Sequence, residues 1–290
     1  MKYMGRDIDF SAPLGEPALS APDSVAWRIF KNPASLFIGG VTAVILELAE
    51  PRVRSGVWDH SSFRKDPLAR MKRTGLAAMI TVYGPGSTAK AVIEGVNRMH
   101  ARVAGETPDG EPYRANDPEL LAWVQATASY GFLEAYHAFV SPLPDAEKNR
   151  FYAEQTPAAE LYGAARVPRS LAERRAFFDD WLKRLEPSDI IFEFIDIMRA
   201  TAVLPGPLRV LQRPFIRAAV SILPENVRDR LGLGEAYGLR RFEGGAIRRA
   251  AQVADRVPVP GSPPVLACRR MGLSGAYLHL GGGAALDRAA

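Results

Sequence analysis

PLARMKRTGLAAMITVYGPGSTAKAVIEGVNRMHARVA, residues 67–104, reads as two amphipathic helices hinged on one turn. Gly84-Pro85-Gly86 is the turn signal. Upstream of it, Pro67 sits where a helix tolerates proline, in its first turn, and predicts a helix over 67–83. Downstream, Ser87 is the expected cap of a second helix that continues to about Ala104 and stops at Gly105. On this second helix Ala89, Val92, Ile93, Val96 and Val103 share a stripe, with His100 near its centre. On the first, Leu68, Met71, Gly75 and Met79 line one face, which can pack on a core, and Arg70, Arg73, Thr74 and Ala77 line the other.

The same 3.6-residue period recurs on both sides of the hairpin. A helix is expected over Ala34–Ala49, stopped by Pro51 and followed by a polar loop, SGVWDHSSFRKDP. Asp117-Pro118 opens another toward Val140, ended by Ser141-Pro142. Ser170 and Glu173 form a capping box for Leu171–Leu185, whose Leu171, Phe178, Trp181, Leu182 and Leu185 fall on one stripe. Shorter, proline-bounded helices fill 189–232. Beyond Leu233 the pattern weakens, and residues 279–290, HLGGGAALDRAA, read as frayed. Alternating strand patterns are scarce. The expectation is an all-α fold with an amino-terminal coil (1–24), one large helical domain (25–235), and an arginine-rich segment (236–290) packing on or extending from the core.

Composition narrows the classes. Of 290 residues, 47% are apolar and 24% charged, which suits a packed globule and excludes wholesale disorder. Cys268 is alone, excluding a disulfide framework or a multi-cysteine metal site. The start, MKYMGRDIDFSAPLGEP, lacks the apolar run of a secretory signal, so a cytoplasmic location is expected. The uncharged run 32–46 is shorter than the ~20 residues that span a bilayer and reads as a core helix. No GxGxxG, Walker or GxSxG pattern is present, so nucleotide cofactors and α/β-hydrolase chemistry are not expected. The net charge is +5, and thirty of the thirty-seven basic residues are arginine. Seven arginines lie between Arg240 and Arg270 against Glu243 and Asp255, which fits either a surface for anionic headgroups or a solvated basic tail. No motif or aromatic platform points to nucleic acid.

Four histidines exist: His60, His100, His137 and His279. Glu134-Ala135-Tyr136-His137 is half of what a carboxylate-bridged di-iron bundle needs, and the second half is missing. His100 on its apolar stripe is either a satisfied core histidine or an axial ligand to a flat apolar cofactor such as haem. If 67–83 and 87–104 form an antiparallel hairpin, Arg70 and His100 stand at the same height, about 21 Å from the turn at ~1.5 Å per residue. An imidazole then confronts an arginine–threonine stripe across a gap that the helices must splay to open.

EPRVRSGVWDHSSFRKDPLARMKRT (50–74), VNRMHARVAGETPDGEPYRANDPELLAWVQAT (96–127) and AYHAFVSPLPDAEKNRFYAEQ (135–155) together resemble the rubber-oxygenase family. That family includes the latex-clearing proteins and the fungal oxygenase of mycophenolic acid biosynthesis, and the likeness covers residues 25–235. It implies a globin-like core holding haem b, with O2 oxidising or cleaving a C=C bond of an apolar, isoprenoid-like substrate. It places His100 as axial ligand of the haem iron and Arg70 and Thr74 beside the haem. Arg73 stands where rubber-cleaving members carry a distal lysine. An arginine keeps its proton and is a poor iron ligand, so its remaining role is donation to oxygen or a propionate. Arg70, Arg73 and Thr74 are thus the expected catalytic residues. Asp59 is the candidate distal carboxylate, and His60 and His137 are candidates for supporting hydrogen bonds. The alternative is a non-catalytic haem- or lipid-binding helical protein that touches a membrane surface.

Overall fold

The computed structural model describes residues 1–204 and 206–280. Among them the chain is all-α: thirteen α-helices with two strand pairs of two and three residues. In chain order these are β1 (Lys2–Tyr3), β2 (Arg6–Asp7), α1 (Val25–Phe30), α2 (Pro33–Ala49), α3 (Pro51–His60), α4 (Pro67–Tyr83) and α5 (Gly86–His100). β3 (Ala104–Glu106), β4 (Pro112–Arg114), α6 (Pro118–Phe139), α7 (Asp145–Tyr162), α8 (Leu171–Leu182) and α9 (Asp189–Ala200) follow. The chain continues through α10 (Gln212–Ser221), α11 (Glu225–Arg230), α12 (Glu243–Arg256) and α13 (Pro263–Arg270).

The centre of the molecule is the crossing of α2 and α6. Gly39 and Gly131 meet there backbone to backbone, and a Cβ on Gly39 would stand 2.6 Å from the Gly131 carbonyl oxygen. Side chains as small as hydrogen let two helices approach this closely, so the glycines position the bundle rather than loosen it. α1, α9, α10 and α12 pack around α2, which is buried on almost every side. Among the described residues no single helix is long and apolar enough to cross a membrane; α2 and α3 together reach the length but bend by 110° at Pro51. On the far side of α6, Trp123 stacks on Trp181 of α8 with ring centroids 4.7 Å apart, and Phe178 packs beside them. Leu171, Phe178, Trp181 and Leu185 are all buried, as their stripe predicts.

Asn32 fixes the start of α2. Its Oδ1 accepts from the backbone N–H groups of Ala34 and Ser35, both at 3.1 Å, while its Nδ2 donates to the Ala251 carbonyl at 2.9 Å. One fully buried amide therefore caps the central helix and ties α12 to it. Asn32→Ala removes a cap and strands buried polar groups, and is expected to lower unfolding free energy by about 2–3 kcal/mol in a denaturant titration.

Several boundaries differ from expectation. The first six residues of the polar loop predicted after Pro51, 55–60, belong instead to helix α3. Pro51 ends α2 because it cannot continue a helix, yet its fixed φ suits the first turn of the next. Glu50 caps α3, its Oε2 accepting from Val53 N–H at 2.8 Å, and glutamate lies outside the usual capping set. Ser87 does not cap α5. Instead Glu16 Oε1 accepts from Ser87 N–H at 2.7 Å and the Pro17 carbonyl from Gly86 N–H at 2.8 Å, so a distant segment closes that helix end. α5 stops at His100, because residues 104–106 pair with 112–114 as a hairpin. α7, rich in charge and interrupted by Pro157, lies where the periodicity assigns no element. α12 and α13 form beyond Leu233, where the pattern weakens. The frayed end expected for 279–290 falls, from residue 281 on, outside the described residues.

The amino-terminal coil is pinned rather than loose. Arg270, 1% exposed, donates from Nη1 to the Phe10 carbonyl at 2.7 Å and from Nε to the Glu16 carbonyl at 2.8 Å. That anchor carries the β1–β2 hairpin onto α4.

Candidate active site

α4 and α5 do form the antiparallel hairpin, turning at Gly84-Pro85. Asp66 caps α4 by accepting from Ala69 N–H at 3.1 Å, and Pro67 follows at the first helical position. Only Ile80, Val82 and Tyr83, at its last turn, are fully buried. Leu68, Met71, Leu76, Ala77, Ala78 and Met79 are half-covered, and a Cβ on Gly75 would meet nothing within 4 Å. The middle of α4 thus sets half-covered apolar side chains beside the exposed Lys72, Arg73, Thr74 and Gly75.

Arg70 projects from that open part. It donates to the Thr74 hydroxyl one turn on, a pair that the i, i+4 spacing brings together. Thr74 Oγ1 in turn donates to the Arg70 carbonyl at 3.0 Å. Arg73 is exposed and reaches back to Ser62 Oγ at 2.7 Å.

His100 ends α5, half-buried, and its Nδ1 is shielded from solvent with no hydrogen-bond partner. Burial, and secondarily the Arg70 charge, holds its pKa below the ordinary imidazole value. At neutral pH the ring is therefore neutral with an unclaimed nitrogen, the state in which imidazole binds a metal. One turn earlier Asn97 donates to the Leu161 carbonyl at 2.9 Å, which fixes α5 against α7.

Two residues unnoticed in the sequence join this group. Glu47, on α2, has its carboxyl pushed up to about 7 by burial, an effect that the Arg70 charge opposes. Burial also lowers the Arg70 pKa, while Glu47 and Tyr3 raise it and Arg73 lowers it. Tyr3, at the tip of the amino-terminal hairpin, is buried; burial raises its phenol and Arg70 and Arg73 lower it. Its neighbour Met4 lies against Gly95 of α5, 3.5 Å from where a Cβ would be. The hairpin thus bridges α4 and α5. Glu47 sits in an apolar run with no recognisable motif, and Tyr3 in a segment that reads as coil. Only folding in three dimensions brings either to Arg70.

The remaining candidates lie elsewhere. Asp59 is exposed at the end of α3, where its charge acts on Tyr113. His60 Nε2 pairs with the Tyr113 hydroxyl at 3.1 Å and holds the β3–β4 hairpin against α3. His137 Nδ1 accepts from Leu143 N–H at 2.9 Å and shapes the turn after α6, and Glu134 pairs with Lys148 at 3.7 Å. Among the described residues no three His, Cys, Asp or Glu side chains are grouped to hold a metal ion; a haem asks the chain for a single imidazole.

The family model described as ER-bound oxygenase mpaB/B'/Rubber oxygenase, catalytic domain, matches residues 27–256, well over half of the chain. The chain belongs to this family. No curated protein and no solved structure matches it. Membership in the mpaB/rubber oxygenase family makes the chain an oxygenase catalytic domain, an oxidoreductase acting with O2 on an organic substrate. The matched span covers α2 to α12 and contains Glu47, Arg70, Thr74 and His100; the Tyr3 hairpin and α13 lie outside it.

Proposed function

We propose that this chain is a haem b-dependent oxygenase for an apolar, unsaturated substrate of the isoprenoid class, with its site between α4 and α5. The observation that carries this reading is the meeting at Arg70 of one neutral imidazole and one carboxyl of pKa about 7, beside the half-covered apolar side chains of α4. His100 would hold the iron, and the half-covered side chains of α4 would lie against the macrocycle. Bound there, haem b supplies the redox chemistry with dioxygen that side chains lack.

The chain's own residues do the rest. Arg70, fixed by Thr74, presents guanidinium donors where negative charge develops, and Arg73 presents a second set nearer solvent. Fixed donors in a partly dry slot stabilise such charge without reorganising. Leu76, Ala77 and Met79 exclude water from an apolar substrate. Glu47 is half ionised near neutral pH, and its carboxylate oxygen can accept the proton that substrate carbon gives up as the electrons of that C–H bond pass to dioxygen. The Tyr3 hairpin lies against both helices, through β1 on α4 and Met4 on Gly95 of α5. The location that goes with this reading is the cytoplasm.

The test is oxygen uptake by haem-loaded protein given squalene as an isoprenoid probe. Uptake is expected to rise as pH passes about 7, where Glu47 loses its proton. Glu47→Gln should cut the rate about 100-fold or more and flatten that limb, as loss of a positioned base does. A haem-loaded protein with a CO-shifted Soret band and no alkene-dependent uptake would instead support a non-catalytic haem or lipid carrier. A Glu47→Gln protein with the wild-type rate and pH profile would remove Glu47 from the reaction.

A further inference from the structure

α12 turns two unlike faces outward and inward. Ile247 and Ala251 are fully buried against α2 and α6. On the opposite side, positions 242, 249, 253 and 256 fall within about one-fifth of a turn of each other at 100° per residue. They are Phe242, Arg249, Val253 and Arg256, all exposed, with Phe242 at 82% and Val253 at 63%. The chain then leaves the helix as Val257-Pro258-Val259-Pro260, every residue of it exposed. Single exposed apolar residues are ordinary, whereas Phe242, Val253, Val257 and Val259 exposed along one helix face and its exit form a group that marks a contact surface.

Charge identifies the partner. The only acidic residues of α12, Glu243 and Asp255, are spent inward: Glu243 is gripped by Arg217, with Nε to Oε2 at 2.8 Å, and Asp255 pairs with Lys31 at 3.0 Å. Arg241, Arg249 and Arg256 are exposed, and Arg241 Cζ lies over the Phe242 ring, 5.9 Å from its centroid. The outer face therefore interleaves exposed apolar and cationic side chains, with no carboxylate of its own helix to neutralise it. The two prolines at 258 and 260 carry no N–H, so this segment forfeits fewer donors on entering a hydrocarbon boundary.

We infer that the Phe242–Pro260 face is a docking surface for an anionic lipid bilayer, with Phe242, Val253, Val257 and Val259 entering the interface and Arg241, Arg249 and Arg256 meeting headgroup phosphates. Long arginine side chains on the same stripe as exposed Phe and Val can reach headgroup phosphates while the apolar groups enter the hydrocarbon boundary. The inference stands apart from the haem reading, since it uses none of the residues of the α4–α5 site.

The experiment is co-sedimentation of the full chain with vesicles of phosphatidylcholine alone and of phosphatidylcholine mixed with phosphatidylglycerol, across a salt series. Binding is expected to the mixed vesicles, weakening as salt rises. Arg249→Gln and Arg256→Gln should each weaken it about fivefold, and Phe242→Ala about tenfold. All three side chains are exposed, so the melting temperature serves as the folding control. Phe242→Trp adds a direct readout, a blue-shifted emission when anionic vesicles are added. Absence of binding to the mixed vesicles at low salt overturns the inference, and so does binding unchanged in Phe242→Ala. Self-association that Phe242→Ala abolishes and vesicles do not compete would assign the face to a second copy and overturn it as well.

Discussion

His100→Ala, expressed with ample haem and purified beside the wild type, is expected to emerge almost free of haem. Loss of even a supporting hydrogen bond around a metal ligand typically costs ~10–100-fold in affinity, and loss of the ligand itself should cost more. Folding is not expected to fail with it. The buried Nδ1 makes no hydrogen bond and the ring is only half-buried, so the apo protein gives up little packing and no polar pairing. Circular dichroism of the variant should therefore match wild type while the Soret absorbance is lost. His100→Gly supplied with free imidazole should recover part of that absorbance. A His100→Ala protein that keeps stoichiometric haem with an unaltered axial-ligand spectrum would refute the assignment, and with it the reading of the α4–α5 slot.

Gly131→Ala is expected to have the largest effect on stability. The added methyl would run into backbone of α2 at Gly39, and backbone cannot turn aside as a flexible side chain can. Overpacking costs ~1–3 kcal/mol in ordinary cores, and a clash between two central helices belongs at the upper end. For a chain of this size ~3 kcal/mol corresponds to a melting temperature lower by about 6–12 °C. The gain of up to ~1 kcal/mol that alanine brings to a helix does not offset it. Gly75→Ala is the control. Nothing lies within 4 Å of a Cβ there, so the same substitution should raise apo stability by up to ~1 kcal/mol. Equal effects at the two positions in thermal or denaturant unfolding would contradict the close crossing of α2 and α6.

Local regularities carried much of the fold. The proline-opened starts of α4 and α6, the Asp117 cap and the aromatic stripe of α8 follow from short-range geometry, because a helix writes its buried face into every third or fourth residue. Where an end is closed by something distant, that logic lapses. α5 is capped by Glu16, α3 by a glutamate rather than a serine or aspartate, and α12 is tied down by Asn32. α7 was illegible for another reason: its apolar residues do not gather on one stripe and Pro157 lies inside it.

The site divides along the same line. Read alone, the chain specifies an all-α protein, the α4–α5 hairpin and the placing of Arg70, Thr74 and His100 on its two helices, all of which depend on spacing along one helix or across one turn. Tertiary structure decided that Glu47 and Tyr3 join Arg70, that His60 contacts Tyr113 and His137 the Leu143 N–H, and that the acids of α12 face inward and leave its arginines outside. The physical reason is electrostatic. A carboxyl acquires a pKa of about 7, or a guanidinium loses its counter-charge, through the burial and neighbours that packing imposes, and neither is encoded in the spacing of residues along the chain.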